Sequence, residues 1–218
     1  YIDVFKSGDL WLGFKNSIVL VVETVVVEIV FSALAAYGLA RSNGKIAESI
    51  RNVNMGIMMI PGVALLVGTY GLMVKFHMTN TLYGLALLSA AGGIPGTMFM
   101  YVNFVVSIPV ALDEAAAIDG AGTWQRFKSI TVPMLMPSFT IVFFLTLSKC
   151  FMLLDQNVAL TDGNFSTRML AMQILYTTRD GSPPDYGLAQ AQAVIFFVLI
   201  AAVTLVQVSI TSKKEVEL

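Results

Sequence analysis

The chain has 218 residues, of which 56% are hydrophobic and 12% are charged, with a net charge of −1 and a mean hydropathy of +0.77. Soluble globular domains carry about 25% charged residues, so this composition excludes an ordinary soluble domain. The small net charge gives no basic surface for nucleic acid. Cys150 is the only cysteine, which excludes an intrachain disulfide and a cysteine-based metal cluster. We therefore predict an all-α integral membrane protein.

A membrane-spanning helix needs about 20 mainly apolar residues, and five stretches of the sequence qualify. They are predicted at roughly residues 17–40, 53–74, 82–106, 134–154 and 188–210. Pro61 interrupts the second stretch and Pro95 the third, which is tolerated where neighbouring helices satisfy the freed backbone groups. The chain opens on an amphipathic segment and does not begin with Met. We therefore expect a longer native chain with at least one more span before it.

The orientation follows from Lys and Arg, which are more frequent in short cytoplasmic loops. One set of connections holds seven of them, namely Arg41, Lys45, Arg51, Arg126, Lys128, Lys213 and Lys214. The opposite set holds five, namely Lys6, Lys15, Lys75, Arg168 and Arg179. The charged tail and the loop 41–51 favour the first set as cytoplasmic. The segment 156–186 is then outside, with its apolar patch 169–176 on the membrane surface or packed on the helix bundle.

The polar stretch 107–137 lies between two spans and is patterned for structure. Ser107 is expected to cap a helix with Pro109 in its first turn, and Gly120 to end that helix. Thr123 is expected to cap a second helix, which places Trp124, Phe127 and Ile130 on one face, with Thr131 as a further candidate. A folded polar loop of this kind predicts a docking surface for another protein.

Four charged residues fall in or near the spans, where charges usually face a bundle interior, a cavity or one another. They are Glu23, Glu28, Lys149 and Asp155. One interpretation is a proton or cation pathway, and the other is a buried pair between Lys149 and a glutamate. For Asp155 we favour an interfacial position at the end of its span.

No enzyme site is predicted. His77 is the only histidine and has no further metal ligands at a suitable spacing, so we expect no metal site and place it in the outer loop. The sequence has no GxxxxGK[ST] loop, so no nucleotide site of its own is expected either.

The polar stretch resembles the EAA motif of the membrane subunits of bacterial ABC importers. Glu114-Ala115-Ala116, Gly120 and Ile130-Thr131-Val132-Pro133 follow the spacing of that motif, although the family ends it in Leu-Pro. The form DEAAAIDGAGTWQRF is typical of the carbohydrate-uptake branch. The segment LSKCFMLLDQNVALTDGN is similar to the maltose- and glycerol-phosphate-type subunits, and the resemblance extends along the chain except for a missing first span.

The resemblance implies that residues 1–218 form one type I ABC-importer transmembrane domain, with five spans here and six in the full chain. It implies a permease subunit of an ATP-driven sugar importer in the bacterial cytoplasmic membrane. The implied partners are a second, different permease subunit, two ABC ATPases that bind ATP and magnesium, and an extracytoplasmic sugar-binding protein. The permease itself is expected to be no enzyme and to bind no cofactor.

The resemblance also implies two sets of site residues. Contact with an ATPase is expected in the cytoplasmic coupling loop 107–137, at Asp113, Glu114, Ala115, Ala116, Ile118, Asp119 and Gly120. The sugar path is expected at Ala90, Gly92, Gly93, Gly96, Thr146, Lys149 and Leu153. The small residues predict a wide cavity for an oligosaccharide, or for an anionic sugar paired with Lys149. Equally, the glycines could serve helix packing, and Lys149 could neutralise Glu23 or Glu28.

Two alternatives from other classes are a membrane-embedded enzyme, which lacks a catalytic set, and an ion- or proton-coupled carrier using Glu23, Glu28 and Lys149. A self-contained carrier has no need of the motif in residues 107–137, which therefore favours the importer. Within the importers, a solute other than sugar is a further alternative.

Overall fold

The computed structural model describes residues 8–42, 44–179 and 183–213, and every regular element within these ranges is a helix. The α-helices are α1 (Gly8–Ala40), α2 (Lys45–Met58), α3 (Leu66–Lys75), α4 (Leu82–Ser107), α5 (Val110–Ile118), α6 (Thr123–Arg126), α7 (Val132–Met134), α8 (Met136–Phe151), α9 (Asp155–Leu160), α10 (Leu170–Arg179) and α11 (Tyr186–Ser212). A 3₁₀ turn, Gly62–Leu65, precedes α3, and a π-helical turn, Phe127–Thr131, separates α6 from α7. Two sets of expectations concern residues outside these ranges. They are those for the opening segment with Lys6 and those for Lys214 and the tail.

The predicted all-α membrane protein is confirmed, with three to five candidate spans among the described residues. Among the described residues, three helices are long and apolar enough to span a membrane: Leu10–Ala40, Leu82–Ser107 and Tyr186–Ser212. Two further helix pairs, bent by 95° and 69° at a short break, bring the number of candidate spans to five if each pair counts as one span. The predicted third and fifth spans match α4 and α11 to within two residues at each end. The first helix begins earlier than predicted, at Gly8, because the apolar pattern continues through Leu10 and Phe14.

The second predicted span, 53–74, is divided between two helices, which together form a candidate span bent by 95°. α2 ends at Met58, and α3 begins only at Leu66. Pro61 has the extended backbone angles φ −60° and ψ 125°. A proline has no N–H for the helical ladder and disfavours a helical residue before it. The proline in the sequence therefore divides this span rather than only bending it.

The described residues form two compact units, and the first contains α1 up to Val26, Pro61–Ala90 and Leu145–Leu205. In this unit Leu10 and Leu170 are buried against partly buried apolar side chains of α1 and α11. Met169, Leu170 and Met172 are completely buried. The apolar patch predicted at 169–176 therefore packs on the bundle.

A buried asparagine holds the connection between α9 and α10 in the same unit. Nδ2 of Asn157 donates to Oγ1 of Thr161 at 2.8 Å and to the carbonyl of Thr167 at 3.0 Å. Its Oδ1 accepts from the backbone N–H of Met169 at 3.1 Å. The connection is therefore fixed by side-chain bonds at both of its ends, which compensates for its lack of regular structure.

The second unit contains Val27–Ile60, Ala91–Phe144 and the residues from Val206 onward. Its core is a cluster of apolar residues from α1, α2, α4 and α8, among them Ala36, Met98 and Val142. Pro95 lies inside α4. Its carbonyl accepts a hydrogen bond from Nδ2 of Asn54 at 2.9 Å, which ties α2 to α4 beside the proline.

Within the second unit, α1 and α4 pack closely at a glycine. Glu28 of α1 is 3% exposed, and its Oε1 accepts a hydrogen bond from Oγ1 of Thr97 at 2.5 Å. A Cβ placed on Gly93 would overlap the Glu28 carboxylate. At this position, glycine makes room for a buried carboxylate.

Replacing Gly93 by Ala is therefore expected to destabilise the protein. The new methyl group displaces the Glu28 carboxylate from Thr97, and overpacking of this kind costs about 1–3 kcal/mol. The neighbouring variant Gly92→Ala is the matched control, because a Cβ there meets nothing within 4 Å and alanine favours the helix. Thermal unfolding of the purified protein in detergent would compare them. Equal melting temperatures for the two variants would contradict this account of Gly93.

Candidate coupling site

The site is built around α5, a nine-residue helix that a glycine ends. Gly120 has a φ of +86°. The N–H of Ala121 donates to the carbonyl of Ala116 at 2.9 Å, and the N–H of Gly120 to that of Ala117 at 3.1 Å. This pair of bonds is the Schellman motif, in which a left-handed residue reverses the chain after a helix. The expectation that Gly120 ends the helix is confirmed.

The two predicted side-chain caps were wrong. Ser107 is the last residue of α4, and its hydroxyl donates to the carbonyl of Phe104 at 2.7 Å. Pro109, not Ser107, precedes α5 as the capping residue. Gly122 takes the corresponding place before α6, and Oγ1 of Thr123 accepts from Nη2 of Arg126 at 3.3 Å instead. Pro109 before α5 and Gly122 before α6 both have an extended backbone. Both helices therefore begin without a side-chain cap.

An ion pair fixes the first turn of α5. Nε of Arg41, which follows α1, lies 2.7 Å from Oδ2 of Asp113, and both side chains are largely buried. Nη1 and Nη2 of Arg41 also donate to the carbonyl of Ile108, at 3.3 and 3.2 Å. One guanidinium therefore holds both the helix and the junction between α4 and α5. A cavity of about 440 Å³ lies beside this pair, lined also by Glu114 and Arg126.

The rest of α5 is open. Asp113 is its only buried residue, at 4% exposure. Glu114, Ala115, Ala117, Ile118 and Asp119 are exposed, Ala116 is half-buried, and Ile118 reaches 87% exposure. Of the predicted contact residues, Asp113 alone points inward and cannot meet a partner directly. The outer surface combines small and apolar side chains with two carboxylates, which suits close packing against a partner that carries a basic group.

The chain after α5 packs through aromatic rings. The rings of Trp124 and Phe127 lie 5.4 Å apart, and Phe127 lies 5.1 Å from the ring of Tyr37 on α1. Phe127 and Thr131 are buried, whereas Trp124 is 66% exposed. The predicted common face is therefore only partly formed, because the turn Phe127–Thr131 is π-helical and has a different spacing.

The predicted path residues of the first unit lie in two environments. Ala90, Thr146 and Leu153 are buried, whereas Lys149 is exposed. Lys149 and Leu153 line a cavity of about 310 Å³, to which Gly62, Val63 and Leu66 also contribute. Asp155 and Gln156 add polar groups to the lining that could bind hydroxyls, next to the apolar Met152 and Leu154. Asp155 begins α9 as its first residue, so it lies past the end of the span as expected.

The predicted path residues of the second unit are the glycines of α4. Gly92 is exposed, and Gly93 and Gly96 are half-buried. Glu28 fills the space beside Gly93, and Cε of Met58 lies 4.0 Å from a Cβ built on Gly96. Packing therefore explains Gly93, and its expected part in a wide cavity does not fit this geometry.

The other ionisable groups are dispersed. Glu23 is half-buried, and neither it nor Lys149 forms an ion pair with another described residue of the first unit. His77 lies exposed between α3 and α4, where its carbonyl accepts from the hydroxyl of Tyr83 at 3.2 Å.

The sequence reasoning missed Arg41. Its charge was counted for topology, but its pairing with Asp113, 72 positions later, has no local signal. The sequence did offer one indication. Asp113 lies in the first turn of a short helix, and Arg41 is the cation that directly follows the long apolar run of α1.

The helices that are long and apolar enough to span a membrane, together with the largely exposed α5, define a multi-pass membrane protein with a short helix open to its surroundings. The sequence profile of the family described as "Binding-protein-dependent transport system inner membrane component" matches residues 28–215. The chain belongs to this family, and it is a multi-pass protein of the inner membrane. The predicted resemblance to the permease subunits of ABC importers is confirmed.

Several curated relatives are described as sugar permeases. The probable starch degradation products transport system permease protein AmyD of Thermoanaerobacterium thermosulfurigenes is 40% identical over 143 residues, which cover 64% of this chain and 48% of that protein. The melibiose/raffinose/stachyose import permease MelC of Bacillus subtilis is 34% identical over 136 residues, which cover 62% of this chain and 49% of that protein. The chain thus spans about half the length of the curated relatives it matches.

A solved structure shares the fold. The bacterial ABC transporter involved in the import of the acidic polysaccharide alginate has a chain that superimposes with a TM-score of 0.77 at 18% sequence identity. The match covers 97% of this chain and 82% of that one. The predicted fold, that of an ABC-importer transmembrane domain, is confirmed.

Proposed function

We propose that this chain is the permease subunit of an ATP-driven sugar importer and that α5 is its contact with a cytoplasmic ATPase. The observation that carries the proposal is the geometry of α5. One buried ion pair holds the helix, and a Schellman turn ends it, while its remaining residues are open to a partner. A rigid helix with a free surface transmits force to the spans that it joins, whereas a flexible loop would absorb it.

The relatives support sugar as the cargo and a second permease as a partner. Starch degradation products, melibiose, raffinose, stachyose and maltodextrin appear in their names. Two proteins named for the multiple sugar-binding transport system of Streptococcus mutans, MsmF and MsmG, both match this chain. That pairing supports a complex with a second, different permease. The "binding-protein-dependent" description of the family supports an external sugar-binding protein.

ATP and magnesium belong to the partner ATPases in this proposal. The permease contributes the coupling helix inside and half of the path through the membrane. The carrier alternative based on Glu23, Glu28 and Lys149 is disfavoured, because the chain belongs to a family of binding-protein-dependent components and Glu28 is buried against Thr97.

The cavity beside Lys149 is our candidate for the path in this subunit. An ammonium group, a carboxylate and an amide are among the groups that line it, and such groups hydrogen-bond sugar hydroxyls. The ammonium group of Lys149 would also attract an acidic sugar. The cavity of about 310 Å³ is at the lower end of the usual size for ligand sites, which suits one or two sugar rings of a longer chain.

Replacing Lys149 by Ala is expected to weaken sugar uptake. Loss of a charged hydrogen-bond donor costs about 1.5–3 kcal/mol, so the KM for uptake should rise roughly tenfold or more. Uptake of radiolabelled sugar into cells carrying the whole transporter would measure it. Lys75→Ala, an exposed lysine at the end of α3, is the control. An unchanged KM in a Lys149→Ala protein that assembles normally would remove Lys149 from the path.

The proposed function itself is tested by expressing the chain with the genes that neighbour it and purifying it by a tag on this subunit. ATPase subunits and a second permease should co-purify, and uptake of an oligosaccharide should require ATP hydrolysis. A chain that purifies alone and transports in proteoliposomes without ATP would contradict the proposal.

A further inference from the structure

An apolar cavity of about 300 Å³ lies inside the second unit. Helices α1, α4 and α8 form its walls, together with the segment that leads from α6 to α7. None of its lining residues is charged, and it shares no lining residue with the polar cavity beside Arg41. The apolar cavity is therefore a separate feature of the unit, which neither the coupling helix nor the candidate sugar path uses.

The cavity leads from the surface of α1 into the core of the unit. Its floor includes Tyr101, Leu135 and Phe127, which are 1%, 4% and 7% exposed. Val30 and Leu34 at its mouth are 49% and 44% exposed. A helix with its side chains is roughly 10–12 Å across, so even one helical turn is larger than this cavity. A single hydrocarbon chain is narrow enough to enter.

The mouth lies in one leaflet of the membrane. Helix α1 ends at Ala40 and α4 at Ser107, and the hydrogen bond from Arg41 to the carbonyl of Ile108 places these two ends at the same level. Leu34 precedes Arg41 by seven residues, which is about 10 Å along a helix. Half of the hydrocarbon core is about 15 Å thick. The mouth therefore faces the acyl chains of the leaflet beside the coupling loop.

One wall of the cavity is a fixed cluster of aromatic rings. The ring of Phe127 lies 5.4 Å from that of Trp124 and 5.1 Å from that of Tyr37. Phe127 begins the π-helical turn Phe127–Thr131, and turns of this kind are rare and frequently lie at functional sites. A chain inside the cavity therefore packs against an ordered surface.

Basic groups adjoin the cavity at the level of the lipid head groups. Trp124 lines the cavity and is 66% exposed, and tryptophan is enriched where a membrane meets water. Arg126 and Lys128 directly flank Phe127, and Lys128 is exposed. Arg126 donates to the hydroxyl of Thr123, and neither cation forms an ion pair with a carboxylate among the described residues. Both charges complement a lipid phosphate.

We propose that this cavity binds one acyl chain of an anionic phospholipid, whose phosphate lies against Arg126 and Lys128. Lipid tails are as apolar as the cavity, so the hydrophobic effect adds little to binding from a bilayer. The affinity comes from close packing against the buried side chains and from the two cations. The inference goes beyond the proposed function, since it does not require α5 to bind an ATPase.

The test uses phosphatidylglycerol with a photoactivatable diazirine in one acyl chain, in nanodiscs that hold the membrane complex purified by a tag on this chain. After irradiation, mass spectrometry locates the adducts. Tyr101 and Leu135 should be labelled, because they are buried and only a chain inside the cavity reaches them. Phe31, which is 60% exposed on α1, reports the surrounding bilayer and should be labelled in every sample. Labelling of Phe31 without the two buried residues would overturn the inference, and a cavity filled by a partner protein would give that result.

A larger side chain in the cavity provides the matching variant. Ala33 lines the cavity and is half-buried, so Ala33→Phe should fill it and abolish the labelling of Tyr101 and Leu135. Ala91→Phe, at an exposed position of α4, is the control and should be labelled as the wild type is. If Ala33→Phe does not assemble, Ala33→Leu adds a smaller side chain and should lower the labelling. Full labelling of the buried residues in an assembled Ala33 variant would place the chain elsewhere.

The head group is tested by exchanging the lipid and the nearest exposed cation. Phosphatidylcholine with the same diazirine chain should label Tyr101 and Leu135 more weakly than phosphatidylglycerol does. Lys128→Gln should lower the preference for phosphatidylglycerol roughly fivefold, the usual effect of one cation near a membrane surface. Lys45→Gln, at an exposed position of α2, is the control and should retain the preference. Equal labelling of the wild type by both lipids would overturn the assignment to an anionic phospholipid.

Discussion

Replacing Gly120 by Val is expected to abolish transport while leaving the protein inserted and folded. Gly120 has a φ of +86°, a conformation that costs a residue with a side chain about 1–3 kcal/mol, and most for a β-branched one. Its turn sets the direction in which the chain leaves α5, so valine should shift the population of the docking geometry by roughly tenfold or more. ATP hydrolysis by the complex should continue without sugar uptake. The ratio of sugar transported to ATP hydrolysed in proteoliposomes measures this.

The control for that variant lies two residues away. Gly122 has a φ of −68° and a ψ of 166°, an extended conformation that valine adopts readily, and a Cβ there meets nothing within 4 Å. A Cβ on Gly120 also meets nothing within 4 Å, so the two variants differ in backbone strain and not in crowding. Gly122→Val should therefore transport normally. If Gly120→Val does so as well, the turn is not part of the coupling.

The spans could be predicted from sequence because their signal is composition summed over many residues. The ends of α4 and α11 followed from where the apolar runs stop. The division between α2 and α3 was harder, because proline inside a membrane helix has several outcomes. Pro95 remains inside α4, whereas α2 ends three residues before Pro61. Which outcome occurs depends on neighbours far away in the sequence.

The coupling site could be predicted only where local chemistry determines it. Gly120 followed from local chemistry, since few other residues tolerate its conformation. The side-chain caps did not follow from local chemistry, because a short polar side chain has several possible local partners. Ser107 bonds to Phe104 within α4 instead of capping α5. Asp113 points inward because it pairs with Arg41. The space beside Gly93 is not open because the carboxylate of Glu28 fills it. Pairings between distant residues leave no trace in a single sequence.

Replacing Ile118 by Asp is expected to release the ATPase from the permease. Ile118 is 87% exposed at the end of α5, so the change removes no internal contact and should not affect folding. If the side chain is buried against the ATPase, its loss removes about 1.5–3 kcal/mol, and a carboxylate in an apolar contact adds a desolvation cost. The affinity should therefore fall by at least a hundredfold, since each 1.4 kcal/mol is roughly tenfold. Co-purification of the ATPase with the tagged permease should be lost.

A second exposed isoleucine separates contact from a general effect of adding charge. Ile46, near the start of α2, is 78% exposed and lies outside the coupling loop, so Ile46→Asp should keep the ATPase bound. The two variants should melt at similar temperatures, because neither side chain is packed within the described chain. Comparing Ile118→Asp with Gly120→Val separates binding of the ATPase from coupling of its movement to transport. Gly120→Val should retain the ATPase and lose only transport, whereas Ile118→Asp should lose both. Retention of the ATPase by Ile118→Asp would place the contact on another surface and leave α5 without its proposed role.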